Sequence, residues 1–178
     1  MDILKKGEYT GDIISSFEID GSIITNTHYS TKKNNPEWHY HENLHICFVF
    51  QGGKADTLKE SRYTEKKGSV FFYHAEEKHR WVSTEIVSKS ANIEISSAFL
   101  KMYDLPEYDV KQAIQNNIDA KTIILKMQQE LLINNKPNRS HVKSLLLELV
   151  SKSKSLNNKD LPQWVKLLIE LLNDRWDE

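Results

Sequence analysis

The sequence predicts a mainly β barrel followed by an α-helical tail. Three observations lead there. All six glycines (Gly7, Gly11, Gly21, Gly52, Gly53 and Gly68) lie before residue 100. In that same part, short β-rich runs alternate with turn signals, the habit of sandwiches and barrels. Beyond it no glycine occurs, and apolar residues recur at helical spacing.

The elements follow in order. Asp12 to Ile19 and Ser22 to Tyr29 flank Asp20-Gly21, a pair suited to the positive backbone angles of a type I′ hairpin turn. His39 to Gln51 reads as one long strand ending at Gly52-Gly53, with Lys54 to Glu60 returning. Ser69 to His74, His79 to Thr84 and Ala91 to Ser96 complete a set whose number favours a closed sheet. In the tail, Asp119 is placed to cap a helix carrying Ala120, Ile123, Ile124, Met127 and Leu131. After Pro137 and a Ser140 cap, Val142, Leu145, Leu146, Leu149 and Val150 form one apolar stripe. A last helix begins at Pro162. Its Trp164, Val165, Leu167, Leu168, Leu171, Leu172 and Trp176 cover more than one face, so it needs burial on two sides or a partner.

Composition excludes several classes. A chain of 178 residues with 39% hydrophobic and 28% charged residues is a folded domain and not a disordered one. The longest strongly apolar stretch, Ile46 to Phe50, is far short of the roughly 20 residues a bilayer requires, and the N-terminus lacks a signal-peptide core. A cytoplasmic protein without membrane contact is expected. Net charge is −1, and the parts before and after residue 100 carry 12 basic with 14 acidic and 12 basic with 11 acidic residues, so neither is a basic arm for nucleic acid. The single Cys47 rules out an internal disulfide and a zinc site built from several thiolates.

Five of the seven histidines, His39, His41, His45, His74 and His79, fall between positions 39 and 79. On a strand, alternation puts His39, His41, His45, Cys47 and Val49 on one face and Tyr40, Leu44, Ile46, Phe48 and Phe50 on the other. Inside a barrel the first face becomes the cavity wall, because the large apolar groups must pack outward. Imidazoles converging from two strands suit zinc, nickel, copper or iron, and His39, His41, His45 and His79 are the candidate ligands. A polar pocket without metal is the other reading of the same residues. Trp81 is expected near the pocket mouth, Cys47 as a small core residue, and His74 in a turn.

These residues resemble the cupin family. Pro36-Glu-Trp-His-Tyr-His-Glu-Asn-Leu-His45, followed by six residues and then Gly52, looks like the first cupin motif, with His45 where an acid is expected. Gly68-Ser-Val-Phe-Phe-Tyr-His-Ala-Glu-Glu-Lys-His79-Arg-Trp81 resembles the second, with His74-Ala75-Glu76 replacing the usual Pro-Pro-Gly. Together with a helical pair and a Pro162-x-Trp164 helix, the chain is similar to the N-terminal, effector-sensing half of AraC-type transcription regulators.

The resemblance implies a cupin-like β-barrel (a double-stranded β-helix), an antiparallel helical pair and a terminal helix. It divides the chain into an effector-binding barrel at 1–100, a helical dimerisation and linker region at 101–158, and at 159–178 the start of a helix leading to a DNA-binding domain absent from this chain. The implied function is sensing and not catalysis. A small-molecule or ion effector in the barrel, contacting His39, His41, His45, His79 and Trp81, biases the tail helices of a homodimer, and residues 1–10 close over the ligand. A small metal-dependent cupin enzyme, an oxygenase or isomerase, is the alternative, and a pure interaction module a third. Against an enzyme stands the missing carboxylate. Glu42 lies on the opposite face by parity and Glu76 and Glu77 in a loop, so no positioned general base is evident.

Overall fold

The computed structural model describes residues 2–30, 37–58, 61–83, 85–133 and 137–151. Ten strands come first among the described residues: β1 (Asp2–Leu4), β2 (Asp12–Ile19), β3 (Ser22–Ser30), β4 (His39–His41), β5 (Leu44–Gln51), β6 (Gly53–Leu58), β7 (Ser61–Lys66), β8 (Val70–Tyr73), β9 (His79–Ser83) and β10 (Val87–Ile95). Four helices follow: α1 (Ser97–Met102), α2 (Glu107–Asn116), α3 (Ala120–Ile133) and α4 (Arg139–Val150). The strands form two five-stranded sheets, ordered β1-β4-β9-β6-β7 and β2-β3-β10-β5-β8. Pairing is antiparallel except between β1 and β4.

The predicted hairpin is present. Ile19 faces Ser22 across Asp20 (φ 47°) and Gly21 (φ 81°), the two positive angles a type I′ turn requires. Its tip is tied to the helices: the Asp20 carboxylate accepts from Lys143 at 2.7 Å and from the Tyr103 hydroxyl at 3.1 Å. The Lys143 ammonium holds the Asp20 carboxyl below its usual range.

The strand expected over 39–51 is instead two strands in different sheets. The Glu42 amide donates to the Leu4 carbonyl at 3.0 Å and the Asn43 side chain reaches Glu94, so the chain leaves β4 and crosses to the second sheet before β5 begins. The returning strand expected at 54–60 is β6, and β7, which sequence had not marked, follows it and pairs with it. Residues 2–4, part of the segment expected to close over the ligand, are strand β1. The cap of α4 is Asn138, whose side chain accepts from the His141 amide; Ser140, the expected cap, already lies within the helix. The Pro162 helix with Trp164 falls outside the described residues.

Alternation then decides what lies inside. In the second sheet Ile24, Ile46, Ile93 and Ile95 point outward and share one apolar cluster with Phe99, Val110, Ile114, Ile124, Met127, Val142, Leu146 and Leu149 of the four helices. Buried on the other face are Thr25, Thr27, His45, Ser90, Asn92 and Glu94. The helices thus cover the outer face, and the barrel interior is left polar.

Gly52 links β5 to β6 at φ 75°, and a Cβ there would run into the Val87 carbonyl oxygen. Gly52→Ala is expected to lower stability by about 2 kcal/mol, combining left-handed strain with a backbone clash. Urea unfolding checks this. A loss indistinguishable from zero would contradict the packing of the β5–β6 link against the start of β10.

Candidate metal centre in the barrel interior

β4 carries His39 and His41 on one face, and the pairing of β4 with β9 sets His79 directly across from His39. The His39 and His79 rings are 4.4 Å apart between centroids, His41 and His79 5.5 Å, and His39 and His41 5.8 Å. One ring nitrogen from each of the three lies within 4.8 Å of the others, close enough to share an ion. All three residues are buried, at 2 to 3% exposure.

Two rings are oriented from behind. His39 Nδ1 lies 3.2 Å from the Glu37 carbonyl oxygen and His79 Nδ1 2.9 Å from that of Glu77. A carbonyl only accepts, so Nδ1 carries the proton in both and Nε2 holds the lone pair. A backbone carbonyl behind a histidine is the arrangement that fixes the tautomer of a metal-ligating imidazole.

His45 enters from the other sheet, its ring 4.2 Å from that of His41. Its Nε2 lies 3.0 Å from Asn92 Oδ1, while Asn92 Nδ2 donates to Thr27 Oγ1 at 2.7 Å. With the amide turned that way, Asn92 presents its acceptor and His45 Nε2 donates. The nitrogens that lie within 4.8 Å of one another are those of His39, His41 and His79; His45 packs beside them with its Nδ1 carrying the lone pair, and Tyr73 is stacked near it at 5.5 Å and near His79 at 4.3 Å.

The space these residues line is about 20 Å³. That holds about one water-sized sphere, or one ion, and no organic molecule of ordinary size. Trp81 lines it from β9, buried against the edge of Tyr29 at 4.4 Å and donating from Nε1 to Thr10 Oγ1 at 3.2 Å. Cys47 is a buried wall residue at 2% exposure. Leu4, Tyr9 and Thr10 complete the lining, so the N-terminal segment is part of the wall.

Sequence reasoning missed Glu94. This carboxylate is fully buried on β10, opposite His45 in register. It accepts from the Gly7 amide at 3.0 Å and from Asn43 Nδ2 at 3.5 Å, and the Tyr9 hydroxyl lies beside it. The Tyr9 ring in turn sits 5.6 Å from His41 and 6.0 Å from His45. A signal existed: Ser88, Ser90, Asn92 and Glu94 alternate with Ala91, Ile93 and Ile95 on a strand whose centre is buried throughout.

Burial pushes the Glu94 carboxyl above the usual carboxylate value, against hydrogen bonds from Tyr9, Gly7 and Asn43 that pull it down. Burial, followed by the nearby Glu94 charge, drives the Tyr9 phenol well above its own usual value. Because the folded-state value of Glu94 is raised, its stabilising effect is complete below the unfolded carboxylate value of about 4.3 and is lost as pH rises through the folded value. Glu94→Gln keeps an acceptor for Gly7 while removing the titration. The variant is expected to gain stability relative to wild type as pH is raised from the unfolded value to neutrality. Thermal unfolding of both proteins across that range tests it, and a constant difference would contradict the buried carboxylate.

No family model matches the sequence, and no curated protein matches it. Among solved structures, a protein from Neisseria meningitidis is similar at 19% identity over 46% of this chain and 81% of that one, with a TM-score of 0.40. A cupin-2 domain containing protein from Shewanella frigidimarina is similar at 16% identity over 48% of this chain and 79% of its own, also at 0.40. A cupin protein from Bacteroides fragilis is similar at 15% identity over 44% and 69%, at 0.39.

Proposed function

We propose that this chain is the sensing barrel of an AraC-type transcription regulator and that its effector is a transition-metal ion held by His39, His41 and His79. The single observation carrying the reading is three buried imidazoles converging on a space of about 20 Å³, a size that suits an ion better than an organic effector. The donor set fits. Three neutral nitrogens with no carboxylate among them favour zinc, copper, nickel or iron(II) over magnesium or calcium. When bound, the ion supplies a positive charge that ties the three rings together. His39 and His79 are pre-oriented for it by their carbonyl partners, and Glu94 places a buried carboxyl group next to the cluster by way of Tyr9.

The same space argues against an enzyme, since a substrate would need room beside the ion. A buried acid near the cluster is what favours the second reading, a small metal-dependent cupin enzyme, in which the N-terminal segment withdraws and Glu94 serves as base. In the sensing reading α3 and α4 form the antiparallel pair, the tail joins two subunits, DNA is reached only through a further domain, and the protein works in the cytoplasm. No helix among the described residues is long and apolar enough to cross a membrane.

Sensing requires that the ion bias the helices, and a route is supported by contacts. Tyr73, stacked on His79, precedes His74, whose Nδ1 lies 2.8 Å from Glu107 of α2 and whose Nε2 accepts from Lys111 at 3.1 Å. Hydrogen exchange on metal-free and zinc-loaded protein tests the coupling. Slower exchange in α2 upon loading is the expected result. Changes confined to β4, β9 and the N-terminal segment would instead favour the enzyme.

A further inference from the structure

A second hollow, of about 790 Å³, lies outside the barrel between β8, α2 and the start of α3. Its size falls in the range of small-molecule sites, about 300 to 1,000 Å³. Val70, Phe72, Ile114 and Ile118 give it an apolar lining, and Ile118 is 94% exposed. Lys111, which also donates to His74 Nε2 at 3.1 Å, and Lys121 supply two ammonium groups, and no described lining residue is acidic, the exposed Asp119 standing between Ile118 and Ala120 outside the lining. The nearest turn of α2 does hold Glu107, but that carboxylate already accepts from Ala75 N–H at 3.0 Å and lies 2.8 Å from His74 Nδ1. Lys111 Nζ stands 5.8 Å over the Phe72 ring, so one positive group adjoins the apolar surface directly.

We propose that this hollow binds an apolar monocarboxylate, with its carboxylate between Lys111 and Lys121 and its hydrocarbon body over Phe72, Ile114 and Ile118. Charge complementarity selects this occupant. An apolar surface lined by two cations and by no described acidic side chain favours a ligand with one negative end, disfavours an organic cation, and offers a neutral hydrocarbon no electrostatic gain. The site spans both parts of the molecule, because β8 belongs to the barrel sheet while Lys111, Ile114 and Lys121 stand on helices. Tyr73 lines this hollow and the barrel cavity alike, so an occupant here adjoins a residue of the metal centre. The inference stands independently of the ion reading.

The test uses the full, metal-free chain with 13C-labelled isoleucine δ1 methyls, titrated with octanoate below its micelle-forming concentration. Saturable shifts of the Ile114 and Ile118 methyls are expected, with no saturable shift from octylammonium. The Lys111→Gln, Lys121→Gln double variant is expected to bind octanoate about tenfold more weakly. Lys121→Gln alone, at an exposed position where folding is not at stake, is expected to weaken it measurably. Absence of saturable shifts, equal effects of octanoate and octylammonium, unchanged affinity in both lysine variants, or methyls buried in a dimer and insensitive to octanoate would each overturn the proposal. Because no metal is present, failure of the barrel centre to bind ions leaves this outcome unaffected.

Discussion

The His39→Ala, His41→Ala variant is expected to lose all stabilisation by zinc, nickel, copper or iron(II) that the wild type shows. An ion that binds only the folded state stabilises it by RT ln(1 + [L]/Kd), about 4 kcal/mol at a thousandfold excess over Kd. For a chain of this size that corresponds to a rise of roughly 10 °C in Tm. Removing two of three converging nitrogens leaves His79 alone of the three, and one imidazole cannot retain a dication against water. Each protein is compared with its own metal-free form, so any cost of the substitutions to folding drops out. Equal stabilisation of wild type and variant would move the ion elsewhere, with His45 and surface groups as the remaining sites.

Leu146→Ala is expected to cost about 2 to 5 kcal/mol. Leu146 is fully buried on α4, in the cluster that joins the helices to the outer face of the second sheet through Ile24, Ile46, Ile93 and Ile95. The reason is the lost transfer energy together with a cavity that a sheet and three other helices cannot collapse to fill. The same change at Leu132, which is 68% exposed on α3, is expected to stay within about 0.5 kcal/mol. Urea unfolding of the two variants separates these cases. A small loss at Leu146 would mean that the helices are not part of the barrel's own core.

What the sequence disclosed was whatever period and turn chemistry record locally. Asp20-Gly21 carries its own backbone requirement, and the hairpin followed. The alternation across His39, His41, His45 and Cys47 placed imidazoles inward, and the inward face of the second sheet is polar as that pattern implied. The run from His39 to Gln51 hid a change of sheet, because what ends β4 is a carbonyl of Leu4 and a carboxylate of Glu94, both distant in sequence. The polar Ser61–Lys66 run lacks the apolar alternation that marks a strand and becomes β7 only by pairing with β6. Helix α2 was missed although Val110, Ala113 and Ile114 are its buried residues, since three apolar positions among polar neighbours give a weak period. Glu94 was passed over because the polar face of an alternating strand looks solvent-facing until the opposite sheet closes above it. Separating His45 from the other three rings needed the sheet assignment, since His39, His41 and His79 stand on β4 and β9 of one sheet and His45 on β5 of the other.

Metal analysis of untagged protein, stripped and then reconstituted with each ion in turn, tests the central claim most directly. One tightly held ion per chain is expected, zinc or a neighbouring soft dication, with X-ray absorption showing nitrogen ligands from three imidazoles and none from sulfur. A chain that retains no stoichiometric ion after reconstitution, or one whose ion is bound by thiolate, would contradict it.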